Sequence, residues 1–371
     1  MIEQPTPSPR ARAIALYLPQ YHPIAENSEW WGPGFTEWTN VAKARPLFRG
    51  HYQPHLPADL SFYDLRLAET RSEQAKLARA AGIEGFCYYH YWFAGRQIIE
   101  RPFNEVLASG EPDFPFCLCW ANQTWSGIWH GLTNRVLIEQ TYPGREDHIK
   151  HFNALLPAFT DPRYIKVDGK PLFVIFSPTD LIYPEKTTAL WRELAVKAGL
   201  PGLYITASIG DPDWNPHAHG FDASVITRLP QKRRAWVPWS SPLKKIRDKL
   251  LDIAGRPTVH AYRKVIESMI TDPESNITSF PCVIPNWDNT PRSGSKGMVL
   301  HGSTPELFQK ILEKAVARIE NESPEHRIVF IKSWNEWAEG NHLEPDRRDG
   351  KGYLEATRNV LLGQAKNPNI K

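Results

Sequence analysis

Two apolar patterns take turns along the chain. Short continuous apolar runs at 13–18, 84–89, 116–120, 172–176, 203–208, 223–226, 282–284 and 328–331 are rich in branched and aromatic residues. Runs of this kind, without polar alternation, mark strands buried on both faces. Between them lie stretches with apolar residues three and four apart, the period of a helix with one buried face. The stretch 65–81 carries such a stripe and stops at Gly82. In 147–159 the side chains of Ile149, Phe152, Leu155, Leu156 and Phe159 share one side, and 188–198 closes at Gly199, a C-terminal cap position. Another helix opens at Ser303 or Thr304 with Pro305 in its first turn, turning Phe308, Ile311, Leu312, Ala315, Val316 and Ile319 inward. The stretch 353–362 closes the series. Strand alternating with helix eight times predicts an α/β fold: a single (β/α)8 TIM barrel with long strand-to-helix loops, spanning 1–371.

Two segments interrupt the alternation. Residues 19–64 have no helix of their own and are rich in Trp, Pro and His; a loop that long inside a compact domain is usually functional. Residues 228–256 carry the basic clusters Lys232-Arg233-Arg234 and Lys244-Lys245-Ile246-Arg247. They read either as a solvated surface excursion or as contact with an anionic glycan, a lipid phosphate or a membrane surface. Residues 1–12 read as a flexible tail.

Composition narrows the function classes. Of 371 residues, 41% are hydrophobic and 23% charged, the balance of a soluble globular protein. Lys+Arg 44 against Asp+Glu 41 gives no support for wholesale nucleic-acid binding. No apolar run reaches the roughly 18 residues of a membrane span. The first residues lack an apolar leader core, so the expected location is cytoplasmic, or periplasmic for a chain whose leader has been removed. Cys87, Cys117, Cys119 and Cys282 all lie in or beside apolar runs and are expected to be buried free thiols. The chain has 14 Trp residues, and most follow strand-like runs or sit in Gly/Pro-rich loops: Trp30, Trp31, Trp38, Trp92, Trp120, Trp125, Trp129, Trp214, Trp287, Trp334 and Trp337. A groove for polyols would use many such flat apolar faces.

Barrel enzymes keep their chemistry at the C-terminal ends of the strands. Those ends carry Pro19-Gln20-Tyr21-His22, Tyr89-His90-Tyr91-Trp92, Trp120-Ala121-Asn122-Gln123, Pro285-Asn286-Trp287-Asp288 and Trp334-Asn335-Glu336. Amide, imidazole, carboxylate and indole groups on one face suit sugar hydroxyls and sugar ring carbons. Glu336 and Glu339 stand out. In one helical turn, residues three apart lie on the same side, with roughly 5–6 Å between Cβ atoms. Two carboxyls that close favour retention of anomeric configuration, because inversion needs room for a water between them. Their repulsion would raise one pKa and leave one group as acid, the other as base. His22, His51, His55 and His90 form no close metal-ligand motif, so sugar or structural hydrogen bonding is expected and no metal. Asp211 and Asp213 fit turn caps or sugar ligands. No GxGxxG, no P-loop and no firm DxD motif occurs, so no cofactor is expected.

Longer motifs carry a likeness. Tyr17-Leu-Pro-Gln-Tyr-His-Pro-Ile, Trp30-Trp31-Gly32, Gly34-Phe-Thr-Glu-Trp-Thr-Asn-Val, Cys119-Trp-Ala-Asn122, Ser333-Trp-Asn-Glu-Trp-Ala-Glu-Gly340 and Leu343-Glu-Pro345 resemble the WbsX family from about residue 12 to 363. WbsX proteins often belong to bacterial O-antigen and polysaccharide gene clusters, and many carry the name glycosyltransferase. They are similar to glycoside hydrolase family 99, the endo-α-mannosidases and endo-α-mannanases, barrels with an Asn-Glu-x-x-Glu-Gly element at the matching strand end. The resemblance implies that Glu336 deprotonates the sugar 2-hydroxyl, which attacks the anomeric carbon to form a 1,2-anhydro sugar. It implies that Glu339 is the general acid and then the base for water. The implied enzyme is a metal-independent, retaining glycoside hydrolase acting on α-mannose or α-rhamnose linkages of a bacterial polysaccharide. A glycosyltransferase or transglycosylase in polysaccharide assembly is the alternative. Expected substrate-binding residues are Tyr17, Gln20, His22, Trp31, Glu37, Trp38, Tyr89, His90, Trp92, Trp120, Asn122, Trp287, Asp288, Trp334 and Asn335. The expected partner is an oligosaccharide or polysaccharide, with no nucleic acid and no transmembrane segment.

Overall fold

A computed structural model describes residues 8–127, 136–230, 255–273 and 277–363. Trp129 and the basic clusters between 231 and 254 lie outside the described residues. Eight parallel strands form one sheet: β1 (Arg12–Tyr17), β2 (Ile83–His90), β3 (Phe116–Trp120), β4 (Lys170–Ile175), β5 (Tyr204–Ile209), β6 (Ala223–Ile226), β7 (Ser279–Val283) and β8 (Ile328–Ile331). Each pairs with the next in the chain, and β8 pairs back to β1, with Ala13 beside Val329 and Ala15 beside Ile331. The sheet therefore closes into a (β/α)8 barrel. Closure explains the apolar runs, because the strands of a closed barrel are buried on the inward face and covered by surrounding structure on the outward one. All four residues of β8 are buried. Gly85 in β2 is required by space: a Cβ there would sit 2.3 Å from the Pro115 carbonyl oxygen.

Ten helices accompany the described strands: α1 (Ala25–Trp31), α2 (Glu37–Lys43), α3 (Ala68–Ala80), α4 (Arg101–Ser109), α5 (Arg145–Phe159), α6 (Pro184–Lys197), α7 (Tyr262–Met269), α8 (Thr290–Ser293), α9 (Pro305–Ile319) and α10 (Gly352–Leu361). In α9 the Thr304 hydroxyl accepts the Leu307 N–H at 3.3 Å, Pro305 starts the helix, and the six apolar residues read from the periodicity are all buried. Each large aliphatic side chain buried there contributes about 1.5–3 kcal/mol.

The alternation differs from expectation in two places. Residues 19–64 do hold helices, the seven-residue α1 and α2, separated by a Gly-Pro-Gly break at 32–34. Neither is long enough to print a periodic stripe. Between β5 and β6 there is no α-helix, only a 3-10 turn at His217–His219, because Pro212 and Pro216 interrupt the connection. All four cysteines are buried and free. Among the described residues, no helix is long and apolar enough to cross a membrane.

Candidate active site

The chain leaves β8 through a cis Lys332–Ser333 peptide and makes a small hairpin, with Asn335 paired to His342 and Glu336 to Asn341. A 3-10 turn, Trp337–Glu339, joins the two arms. Glu336 ends the first arm and Glu339 ends the turn, and both side chains reach the same cavity. Gly340 closes the turn at φ +59°, and a Cβ there would lie 2.9 Å from the Asp288 Cβ. Left-handed backbone and close packing together require glycine. The Asp288 N–H donates to the Glu339 carbonyl at 2.6 Å and ties the turn to the loop after β7.

Two cations and one further carboxylate complete the cluster. The Arg292 guanidinium donates from Nε to Glu37 at 3.0 Å and from Nη1 to Glu339 at 2.8 Å, and it stands 3.5 Å from Glu336. Lys332 Nζ donates to Glu336 at 3.0 Å and to the Tyr89 hydroxyl at 2.9 Å. It also lies 5.5–5.7 Å from the ring centroids of Tyr89, Phe176 and Trp287. The two carboxyls are displaced in opposite directions. Burial pushes Glu336 up, but Lys332 and Arg292 outweigh it and hold its pKa below the usual glutamate value. Glu339 is pushed up to about 7 by burial and by the Glu336 charge, against the pull of Arg292 and Lys332. Below about pH 7 one group is an anion while the other keeps its proton, the division that acid–base chemistry needs.

Both carboxyls open into a cavity of about 580 Å³ at the C-terminal ends of the strands. Of the expected binding residues, Gln20, Trp31, Glu37, Tyr89 and Trp287 line it together with Glu336 and Glu339. The others do not reach it. Asn335 and Asn122 extend the sheet: the Asn335 amide donates to the Leu18 carbonyl at 3.0 Å and accepts its N–H at 2.7 Å, and Asn122 does the same with Ser177 at 2.8 Å each way. Both asparagines thus spend their amides on backbone groups left over where the strands splay. Asp288 accepts from His51 and Gln53 at 2.6 Å each on one oxygen and from Thr290 on the other. His90 meets His151 at 2.8 Å, Trp92 stacks on His151 and bonds Asp147, and the His22 ring N–H donates to the Pro19 carbonyl at 3.0 Å. Tyr17 donates to Gln74, Trp38 donates to the Tyr63 carbonyl, Trp120 stacks on Trp191, and Trp334 packs against Phe86 in the core. Asp211 caps its own turn by accepting the Asp213 N–H at 3.1 Å. Among the described residues, Trp38, Trp92, Trp120, Trp191, Trp334 and Trp337 are buried away from the cavity, while Trp31, Trp125 and Trp287 line it.

Sequence reading missed Arg292, Lys332 and the wall residue Phe176; Tyr91, Gln123 and Trp125, named at strand ends or in loops but not among the expected binding residues, line the cavity as well. Lys332 carried a usable signal: it directly follows a buried strand, four residues before Glu336. Arg292 carried none, since the short helix α8 swings it in from the loop after β7. Glu344 was also missed. It accepts from Trp337 Nε1 and Gln74 at 2.6 Å each and from the Tyr63 hydroxyl at 2.8 Å, which anchors the turn from below.

A closed (β/α)8 barrel with two buried carboxyls at its strand ends is an arrangement that glycoside-processing enzymes use. The chain matches the family model described as Glycosyltransferase WbsX over residues 13–357, and it belongs to that family. It is 39% identical over 352 residues to the uncharacterized protein WxcX of Xanthomonas campestris pv. campestris, a match that takes in 95% of this chain and 50% of WxcX. The chain thus spans about half the length of the curated relatives it matches. Among solved structures it is similar to the GH99 endo-alpha-mannosidase from Bacteroides thetaiotaomicron, with TM-score 0.53, 13% identity, and 94% of this chain and 95% of that one covered. A glycoside hydrolase-like protein matches at TM-score 0.53 and 15% identity over 96% and 95% of the two chains. At such identities the likeness establishes the fold.

Proposed function

We propose that this protein is a retaining glycoside hydrolase that cleaves α-manno-configured linkages, mannosides or rhamnosides, of a bacterial polysaccharide. The observation that carries this reading is the carboxyl pair in the cavity, with Glu336 held ionised and Glu339 pushed up to about 7. Glu336 takes the proton from the sugar 2-hydroxyl. That oxygen attacks the anomeric carbon as the glycosidic bond breaks, and Glu339 gives its proton to the leaving oxygen. The 1,2-anhydro sugar is then opened by water, whose proton returns to Glu339 while O2 regains a proton from Glu336. Two inversions at one carbon give net retention. The acid and base are both side chains, so neither step asks for a metal at the reacting carbon. Trp31, Trp125, Trp287 and Tyr89 supply faces for sugar rings, and a cavity of about 580 Å³ has room for more than one of them.

The family description favours a second reading, sugar transfer from an activated donor in polysaccharide assembly. Incubation with α-mannan and rhamnose-rich polysaccharides, followed by mass analysis of the products, separates the two. Hydrolysis should appear in the wild type and vanish in Glu336→Gln and Glu339→Gln. If either variant keeps full turnover, the assignment of the pair is wrong. If only nucleotide-sugar donors are consumed, the transfer reading replaces it.

A further inference from the structure

His55, His342 and Asp346 converge outside the cavity. The His342 Nε2 stands 3.1 Å and the His55 Nδ1 4.0 Å from Asp346 Oδ2, and one donor atom from each residue lies within 4.8 Å of the others. All three residues are buried, with 4%, 3% and 3% of their surface exposed. His55 Nδ1 has no hydrogen-bond partner there. A buried imidazole nitrogen left without a partner costs free energy unless something else takes its lone pair. The two rings meet edge to face, 5.6 Å apart at 81°, so they approach the shared carboxylate from different directions.

The carboxylate is already oriented. Asp346 Oδ1 accepts the backbone N–H groups of Arg348 at 2.9 Å and Asp349 at 2.7 Å, which fixes where Oδ2 points. Outer hydrogen bonds of this kind are how proteins aim a ligating oxygen. The backbones are pre-aligned too: the Arg347 N–H donates to the Leu56 carbonyl at 2.9 Å and the Ala58 N–H to the Pro345 carbonyl at 3.0 Å. The segment bearing His55 and the segment bearing His342 and Asp346 are thus held together on both sides of the cluster.

We propose that His55, His342 and Asp346 bind one divalent transition-metal ion of the Zn2+ class. Two imidazoles and one carboxylate suit Zn2+ or its first-row neighbours; Ca2+ and Mg2+ prefer an all-oxygen shell. Three protein ligands leave a position for water. The ion is structural: none of the three residues lines the cavity, and the Trp337 ring stacks on His342 at 3.7 Å between ring centroids. It clips the loop after β1 to the hairpin that carries both glutamates. The sequence hid the site because His55 and His342 lie far apart along the chain.

The test uses the whole chain, freed of metal by dialysis against a chelator and titrated with Zn2+ alone by calorimetry. One site per chain is expected. His55→Gln and His342→Gln should each weaken it by about tenfold or more, while His217→Gln, at an exposed position, should leave it unchanged. Co2+ added alone to the wild type should give the visible absorption of an ion bound by nitrogen and oxygen ligands, a readout that needs no variant to fold. Absence of both the calorimetric site and the Co2+ spectrum overturns the proposal. So does binding that persists undiminished in the two ligand variants.

Discussion

The raised pKa of Glu339 makes folding stability depend on pH in a calculable way. Glu339→Gln removes the titrating group and keeps its shape. In the wild type the folded state holds this proton up to about 7, whereas the unfolded chain releases it near the ordinary glutamate value of 4.5. Below 4.5 both states are protonated and the stabilising contribution is complete. Between 4.5 and about 7 only the folded state keeps the proton, so stability falls as pH rises; above that the dependence is flat. The gap, at about 1.36 kcal/mol per pH unit, comes to roughly 3 kcal/mol. Glu344 is also pushed up to about 7, by burial, and contributes with the same sign, but it is present in both proteins and cancels in the difference. Urea unfolding of wild type and Glu339→Gln from pH 5 to pH 8 gives the comparison. The variant should gain on the wild type by about 2–2.5 kcal/mol across that range. A difference that stays constant with pH would show that Glu339 is ionised throughout, and the acid assignment would fall with it.

The same pKa directions predict a bell-shaped pH profile, with kcat/KM falling above about 7 as Glu339 ionises and falling on the acid side below the usual glutamate value as Glu336 protonates. Lys332→Met should move the acid limb to higher pH, since the closest cation to Glu336 is gone. Arg292→Lys keeps the charge, but one ammonium cannot reproduce the fork that grips Glu37 and Glu339; kcat/KM should drop by about tenfold or more, as steady-state kinetics would show. Gly340→Ala puts a Cβ into Asp288 at a left-handed position and should cost at least about 1–2 kcal/mol in urea unfolding, with a larger proportional loss in kcat. Trp120→Ala should cost about 3–5 kcal/mol as a core deletion without a matching rise in KM, whereas Trp287→Ala, removing a ring that is both buried and on the cavity wall, should raise KM as well as lower the melting temperature.

The barrel was legible because burial on both faces leaves one kind of strand, and the runs at 116–120, 223–226 and 328–331 coincide with strands of the structure. The short helices α1 and α2 were hidden, since seven residues make too few turns for a periodic stripe. The two carboxylates were legible through their spacing and their place after a strand. Their environment was not. Arg292 arrives from a different loop, and no pattern within the chain connects it to Glu37, Glu336 and Glu339. Asn122, Asn335 and Asp288 mislead for a physical reason: a strand end needs polar side chains to satisfy its own backbone as much as a substrate does.

The central claim is that Glu336 acts on the substrate's own 2-hydroxyl. It is tested most directly by a matched pair, an α-linked glycoside that the enzyme cleaves and its 2-O-methyl counterpart, each followed by proton NMR of the first-formed product. Rapid cleavage of the hydroxyl substrate with retained anomeric configuration is expected, and no cleavage of the methylated one. Comparable cleavage of both, or an inverted first product, would contradict the claim.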